Sequence, residues 1–435
     1  MSNNISFINN FKEEAEKTIK EDSNSWLKDL RNASLARVNE LKVPTTKDEE
    51  WKYTNLSTAV GRSYALSQKA EFKEKEGFDR YTVDDKIRVT FVNGVFSQEL
   101  SKLDRLPKGL TILPLKEAIQ TEEPLIQKIL NKYETNKTTL FAALNTVLMN
   151  AGVFIKVDAN VIIEDDVHVL HVMSSSNGES LSLPRSIIYL GKSAEATVLE
   201  SHVAFTDDIT YFVNALNDIY LSENATLHYC KAQKESLKAF HVGNSRVWQE
   251  ANSNLDSISV VAGAALARND IDIILEGEGI NSTLNGLYSV YGDQHVDNHT
   301  SVDHRFPNCV SNQLYKGVLN GAARAVFNGK IFVRDIAQQT NSYQLNKNLL
   351  LGKDCRVDTK PQLEIFADDV KCTHGATVGQ LNEDELFYLE TRCIPRKAAI
   401  KMLARGFVDD LLNDIKSRDI NDKLHILLEP SFEQL

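Results

Sequence analysis

From about Val89 to about Val378 the chain is written in short β-branched runs broken by Gly, Asn and Asp, with few helix-like stretches apart from the region Glu117 to Met149. Runs of this length, punctuated by turn residues, specify strands, and so many in one segment restrict the chain to a mainly β architecture. Ile187 to Gly191, Ile219 to Leu221, Ile271 to Leu275 and Tyr315 to Leu319 each precede a small or polar turn. Some are followed by a second run, as in Ala196 to Leu199 or Ala325 to Phe327. Such strand-and-turn units suit a right-handed parallel β-helix, whose coils bury their inward side chains only by stacking on their neighbours. The period is irregular, and by periodicity alone a β-sandwich fits nearly as well.

Both ends of the chain read as helical. Ile8, Phe11, Ala15 and Ile19 recur at helical spacing. Leu27, Leu30, Val38 and Leu41 do so again after Ser23-Asn24-Ser25, and Pro44 closes the pattern. After His374, Asn382 followed by Glu385 reads as a capping box, and Pro395 as the first residue of a second helix with Ala399, Met402, Leu403, Leu411 and Ile415 on its apolar face. The expected organisation is an N-terminal helical region over 1–88, a β-helix core over 89–380 with a helical insertion near 117–149, and a C-terminal helical region over 381–435.

Composition excludes several classes of function. A net charge of −11 over 435 residues argues against a nucleic-acid surface, since neutralising phosphates needs clustered Lys and Arg. The longest apolar run, Ile258 to Leu266, is too short to span a bilayer, so no membrane partner is expected. Met1 to Lys20 carries neither an apolar leader core nor an Arg-rich transit pattern, which reads as cytoplasmic. The five cysteines, Cys230, Cys309, Cys355, Cys372 and Cys393, are odd in number and widely spaced, as expected of reduced thiols, and no Cys-x-x-Cys occurs.

Nor is there complete enzymatic machinery. Gly191-Lys192-Ser193 ends like a phosphate-binding loop, but Ser186 stands where that loop needs its first glycine; Gly329-Lys330 and Gly352-Lys353 fail similarly. The chain is therefore expected to bind and hydrolyse no nucleotide by itself. No Gly-x-Ser-x-Gly supports a serine hydrolase. A polysaccharide-cleaving β-helix enzyme is the more serious enzymatic rival, although such enzymes are usually secreted.

Two constellations carry metal-ligating side chains. Asp293, His295, Asp297 and His299 share one parity and on a strand would line one face, with carboxylates and imidazoles suited to a first-row metal. The same pattern describes the polar outer face of a solenoid strand, which is the preferred reading. His304, after Asp303, lies beyond a turn on this reading and would be a separate site. Cys372 and His374, within Asp368 to Gly375, are the sharper pair. Two residues apart on an extended backbone, they project to the same side and can meet one iron, leaving further ligands to come from elsewhere in the chain or from a partner.

Taken together these residues resemble the SufD family over nearly the whole chain. Glu49-Glu50-Trp51-Lys52-Tyr53-Thr54-Asn55-Leu56 is similar to the family's E-x-W-K-Y-T-x-L segment. Phe91 to Gly94, Leu144-Asn145, Val302 to His304, Tyr315 to Gly317, Phe327 to Ile331 and Asn348 to Leu351 follow in the family's order. Pro361 to Ile365 and Asp368 to Gly379 resemble its signature; the paralogous SufB typically carries an E-H-E-A-T-type segment where this chain has Cys372 to Thr377. The resemblance implies a non-catalytic scaffold subunit that forms a heterodimer with SufB, takes the ATPase SufC on its C-terminal helical region, and supports a transient iron or iron-sulfur cluster and iron supply at the SufB interface. It leaves open a homodimer of the isolated chain, a SufB-like main-scaffold role and a purely structural one. Under it Cys372 and His374 are the expected contributors to the cluster, with His304, His295 and His299 behind them. One departure stands at Cys393, where the family usually has Gly; a β-carbon there puts a left-handed turn between the C-terminal helices in doubt.

Overall fold

The computed structural model describes residues 2–67, 72, 75–82, 85–132, 138–149, 151–174 and 179–435. Successive strands alternate between two sheets, and each pairs in parallel with the strand two places further along. In one sheet Tyr211–Leu221 leads to Phe240–Gln249, Leu266–Leu275, His295–His304, Arg324–Val333 and Arg356–Ile365. In the other, Thr226–Lys234 leads to Asn254–Val261, Asn281–Val290, Val310–Leu319, Asn341–Leu350 and Lys371–Gly379. This connectivity makes a β-solenoid of about eight turns between residues 151 and 379, and it disposes of the sandwich. The coil length varies from 26 residues (266 − 240) to 33 (184 − 151), which is why no strict sequence period was visible.

The turn residues that break up the sequence have a common task. Asn160, Ser193, Asn224, Asn252, Gly279, Asn308 and Gln339 occupy equivalent turns of successive coils, all with φ between 55° and 69°. That left-handed conformation suits Asn, whose short polar side chain tolerates it. It also aims each backbone N–H along the stack. The amide of Asn160 donates to Lys192 O (2.8 Å), Ser193 to Glu223 O (2.9 Å), Asn224 to Ala251 O (3.0 Å) and Asn252 to Glu278 O (2.8 Å), so the turns are bonded coil to coil like the strands. Gly191-Lys192-Ser193 belongs to this ladder, and Lys192 pairs with Glu223 of the next turn rather than cradling an anion.

Inside the tube, Val167, Val169, Ala196, Val198, Leu227, Leu255 and Leu284 form the central core. Helices cover the outer faces: α1 (Ser2–Glu21), α2 (Ser25–Glu40), α3 (Ser57–Val60) and α4 (Lys75–Thr82) come before the solenoid, α5 (Leu115–Thr121), α6 (Glu123–Leu130) and α7 (Leu140–Leu148) early in it, and α8 (Glu383–Thr391), α9 (Arg396–Leu412) and α10 (Arg418–Glu433) after it. Residues 133–137, within the expected helical insertion, lie outside the described residues. Phe7, Phe11 and Phe141 pack on Phe212 and Phe240 of the first sheet; Val408, Leu411, Leu424 and Leu427 pack on Leu199, Cys230 and Ile258 of the second. Asn24 caps α2 through Leu27 N (3.3 Å). Asn382 caps α8 through Asp384 N (2.9 Å) rather than through a box with Glu385, and Pro395 sits one residue before α9.

The two ends of the solenoid differ. The first coils are closed by antiparallel partners, Leu110–Pro114 on Ala151–Val157 and Val95–Phe96 on Ile87–Val92. Arg356–Ile365 and Lys371–Gly379 pair on one side only. No residue of these two strands is buried, whereas Tyr211–Leu221 is buried throughout.

Doubt over the turn at Cys393 is resolved against the expectation. Cys393 adopts φ 62°, its amide donates to Glu390 O (3.0 Å), and that of Ile394 reaches back to Leu389 O (3.2 Å), the paired bonds of a Schellman helix end. The β-carbon is accommodated because Cys393 is exposed, but the left-handed backbone still costs about 1 kcal/mol relative to Gly. Cys393→Gly is therefore expected to stabilise the chain by about that amount, read as a higher urea midpoint at unchanged slope. A lowered midpoint would mean that the thiol makes a contact worth more than the strain.

Candidate functional site

Cys372 and His374 lie on the final strand, in register with Ser342 and Gln344 of the coil before. Both continue columns of inward-facing polar side chains. Ser311 and Ser342 share a hydrogen bond (2.7 Å), and Ser311 Oγ lies 2.9 Å from His304 Nε2; Gln344 Nε2 donates to Gln313 Oε1 (3.3 Å), which also accepts from Thr300 Oγ1 (2.7 Å). In the coils before, every member of the two columns is buried. At the last coil nothing stacks on top, so His374 is exposed and Cys372 half-buried against Ile331, Val333 and Ala337. Partial burial pushes the Cys372 thiol above its ordinary pKa. A protein seated on this end would meet an imidazole, a thiol and the uncovered inner side chains Ile365 and Val378.

The Asp293 to His299 constellation is placed differently. Asp293 falls in the turn before the strand, so it does not share the face with the others. His295, Asp297 and His299 point outward, beneath the segment that carries Glu50, Trp51 and Thr54. Thr54 Oγ1 donates to Asp297 Oδ2 (2.6 Å) and lies 2.8 Å from His295 Nε2. Arg268 Nη1 donates to Asp297 (2.8 Å) and to Glu50 O (2.6 Å), and its guanidinium lies 3.8 Å from the Trp51 ring centre. Lys330 ion-pairs with Glu50 (2.5 Å). Burial disfavours a charged His299, but Asp297 and Glu50 outweigh it and raise the imidazole to about 9. A protonated imidazole clasped by two carboxylates has no lone pair for a metal. The E-x-W-K-Y-T segment is thus what these outward groups hold, fastening the N-terminal region to the solenoid.

His304 is not beyond a turn. The strand runs unbroken from His295 to His304, and alternation puts His304 inside the tube, fully buried, where burial lowers it to about 4.

Among the described residues one group of three donors lies within ligand reach of a common point, and it was not singled out from the sequence: His171, Glu200 and His202, all buried, with ligand atoms within 4.8 Å of one another. Glu200 and His202 alternate on Glu195–Val203, and His171 is the register partner of His202 on Val167–Val172. Burial, and then the neighbouring His202, depress His171 to about 3, so its imidazole is neutral. The available signal was a Glu-x-His with one inward parity, but register with His171 is invisible without the coil length.

With the geometry in hand, comparison with known proteins is informative. Residues 171–407 match the model of the SUF system FeS cluster assembly SufBD core domain, and residues 1–169 that of the SufBD protein N-terminal region. The chain is 30% identical to an iron-sulfur cluster assembly SufBD family protein of Synechocystis over 92% of its own length and 90% of the relative's. It is 30% identical to iron-sulfur cluster assembly protein SufD of Escherichia coli, covering 88% of each. To the SufD of Bacillus subtilis it is 24% identical, covering 93% of this chain and 94% of that one. No helix among the described residues is long and apolar enough to cross a membrane. A two-sheet solenoid between helical ends, matched by both halves of one family's models, makes this chain a member of the SufBD family of the SUF iron-sulfur cluster assembly system.

Proposed function

We propose that this chain is the SufD-type accessory subunit of a SUF complex, without turnover of its own, which pairs through its open last coil with a SufB paralogue and supports a transient iron or iron-sulfur cluster at that junction. The observation that carries the reading is the asymmetry of the solenoid. One end is capped within the chain, while the other leaves two parallel strand edges unpaired and inner side chains uncovered, next to His374 and Cys372. Open edges of this kind invite pairing with another chain, and a second solenoid of the same coil shape is the partner that extends both sheets. The exposed Phe387, Tyr388 and Met402 on α8 and α9 supply a separate apolar face, which this reading gives to the SufC ATPase.

Co-purification of the full chain with a SufB-type and a SufC-type subunit tests both assignments at once. Phe366, exposed just past the end of Arg356–Ile365, joins Val378 on this surface, and Phe366→Asp combined with Val378→Asp is expected to weaken retention of the SufB-type subunit about tenfold or more, since burying an unpaired carboxylate in an apolar contact is severely unfavourable, while the ATPase stays bound. Phe387→Asp with Tyr388→Asp should give the reverse. Undiminished SufB retention by the first variant would place the pairing surface elsewhere.

A further inference from the structure

We propose that His171, Glu200 and His202 form a binding site for a divalent first-row transition metal inside the solenoid, separate from the open last coil and independent of the pairing proposed above. The stacking of coils builds the site. His171 and His202 are register partners, so their rings lie parallel, 4.6 Å apart at 11°. Glu200 Oε1 lies 2.9 Å from His202 Nε2 and 3.9 Å from His171 Nε2. Ligands held at 2.0–2.2 Å from one ion sit roughly 3–3.5 Å from each other, so small side-chain rotations would seat a metal between the three. Two imidazoles and a carboxylate suit Fe(II), Co(II) or Zn(II) and leave further coordination positions open.

The second, independent observation is the state of His171. The residue is 5% exposed, and neither ring nitrogen has a hydrogen-bond partner. A neutral imidazole carries one donor and one acceptor, and buried polar atoms are as a rule satisfied. The other core histidines each engage at least one ring nitrogen: His168 places Nδ1 2.9 Å from Asp85 and Nε2 2.9 Å from Ser201, and His304 Nε2 lies 2.9 Å from Ser311 Oγ. His171 is instead held by ring stacking alone, between Phe91 (5.0 Å) and His202, with its nitrogens unengaged. The surroundings also match those of a ligand set. Tyr229 Oη donates to Glu200 Oε2 (2.6 Å), which orients the carboxylate and leaves Oε1 for the ion. The nearest buried cation, Lys231, stands at the register of Glu200 on the next coil, and its Nζ is engaged with Asn269 Oδ1 (2.8 Å).

The test uses the full chain alone, stripped with chelator and titrated anaerobically with Co(II) and then Fe(II). Expected are one tight equivalent of Co(II), visible ligand-field bands without the intense charge-transfer absorption of a thiolate ligand, and a metal-dependent rise in thermal midpoint. His171→Phe keeps a stacked ring and removes no hydrogen bond, so its metal-free midpoint should match the parent's, while Co(II) affinity falls by about 100-fold or more. Glu200→Gln should weaken binding comparably, and a Cys372→Ser/His374→Ala double variant should bind as the parent does. No saturable Co(II) or Fe(II) binding by the parent, unaltered binding by His171→Phe, or loss of the tight equivalent in the double variant would each overturn the assignment, leaving a polar network in the core.

Discussion

His374→Ala is expected to leave the thermal midpoint of the chain within about 1–2 °C of the parent and to lower the iron and sulfide retained by the assembled complex roughly tenfold. The first half follows from position. His374 is exposed on the terminal strand and no buried polar atom depends on it, and surface substitutions of that kind change stability by about 0.5 kcal/mol or less. The second half follows from the proposed function: an imidazole at the end of a column of inward polar groups is presented to whatever is seated on the open end, and removing one of a few ligands weakens metal retention. Cys372→Ser does not separate packing from ligation, because the thiol is half-buried against Ile331 and Val333 and its loss alters both, so His374 is the position to test. The paired measurement is differential scanning calorimetry of the isolated subunit together with iron and sulfide content of the anaerobically isolated complex. Undiminished cluster content would remove His374 from the site; an equal fall in stability and content would make it a structural residue.

Asp218→Ala is expected to have the largest effect on folding, about 3–5 kcal/mol of destabilisation. Asp218 is fully buried between the first sheet and α7, where one carboxylate serves two guanidinium groups: Arg185 Nη2 donates to Oδ2 at 2.5 Å and Arg246 Nε to Oδ1 at 2.7 Å. Arg185 also donates to Thr146 Oγ1 (2.9 Å), so the same cluster ties α7 to the solenoid. Burial depresses the Arg185 guanidinium to about 10 against the pull of Asp218, as expected for a charge removed from water. Without Asp218, the buried Arg185 guanidinium loses its carboxylate partner, and Arg246 loses the oxygen to which its Nε donates. Urea denaturation of the variant should show a much lower midpoint, with α7 detaching first as read by proteolysis. Replacing all three groups with apolar residues of similar volume should recover most of the loss, since a buried ion pair is destabilising chiefly when broken. A midpoint shift below about 1 kcal/mol for Asp218→Ala would show that water enters this cluster and screens it.

Much of the architecture was written locally. Helical spacing at Ile8, Phe11, Ala15 and Ile19 and again at Ala399, Leu403 and Leu411, strand runs between turn residues, and the caps Asn24 and Asn382 depend on near neighbours and are legible in the sequence. The parity that puts Cys372 and His374 on one side of a strand is equally local. What the sequence could not supply was which face of each strand lies inside the tube and which residues stack one coil apart. Coil lengths differ, and register is a property of the whole stack rather than of any window. For that reason His295 and His299 read as ligands although they clasp Thr54 and Glu50, with Thr54 and His295 standing 241 residues apart in the chain, and His304 read as lying beyond a turn although it faces the core. For the same reason His171, with no second inward donor on its own strand, carried no signal until the coil brought it over His202. The sequence alone determined the element types, the helical ends and the family likeness. Tertiary structure decided which polar side chains are sealed in the tube, which are spent on fastening the N-terminal segment, and which stand uncovered at the one end of the solenoid that the chain does not close, because burial and pairing there depend on coils meeting in space.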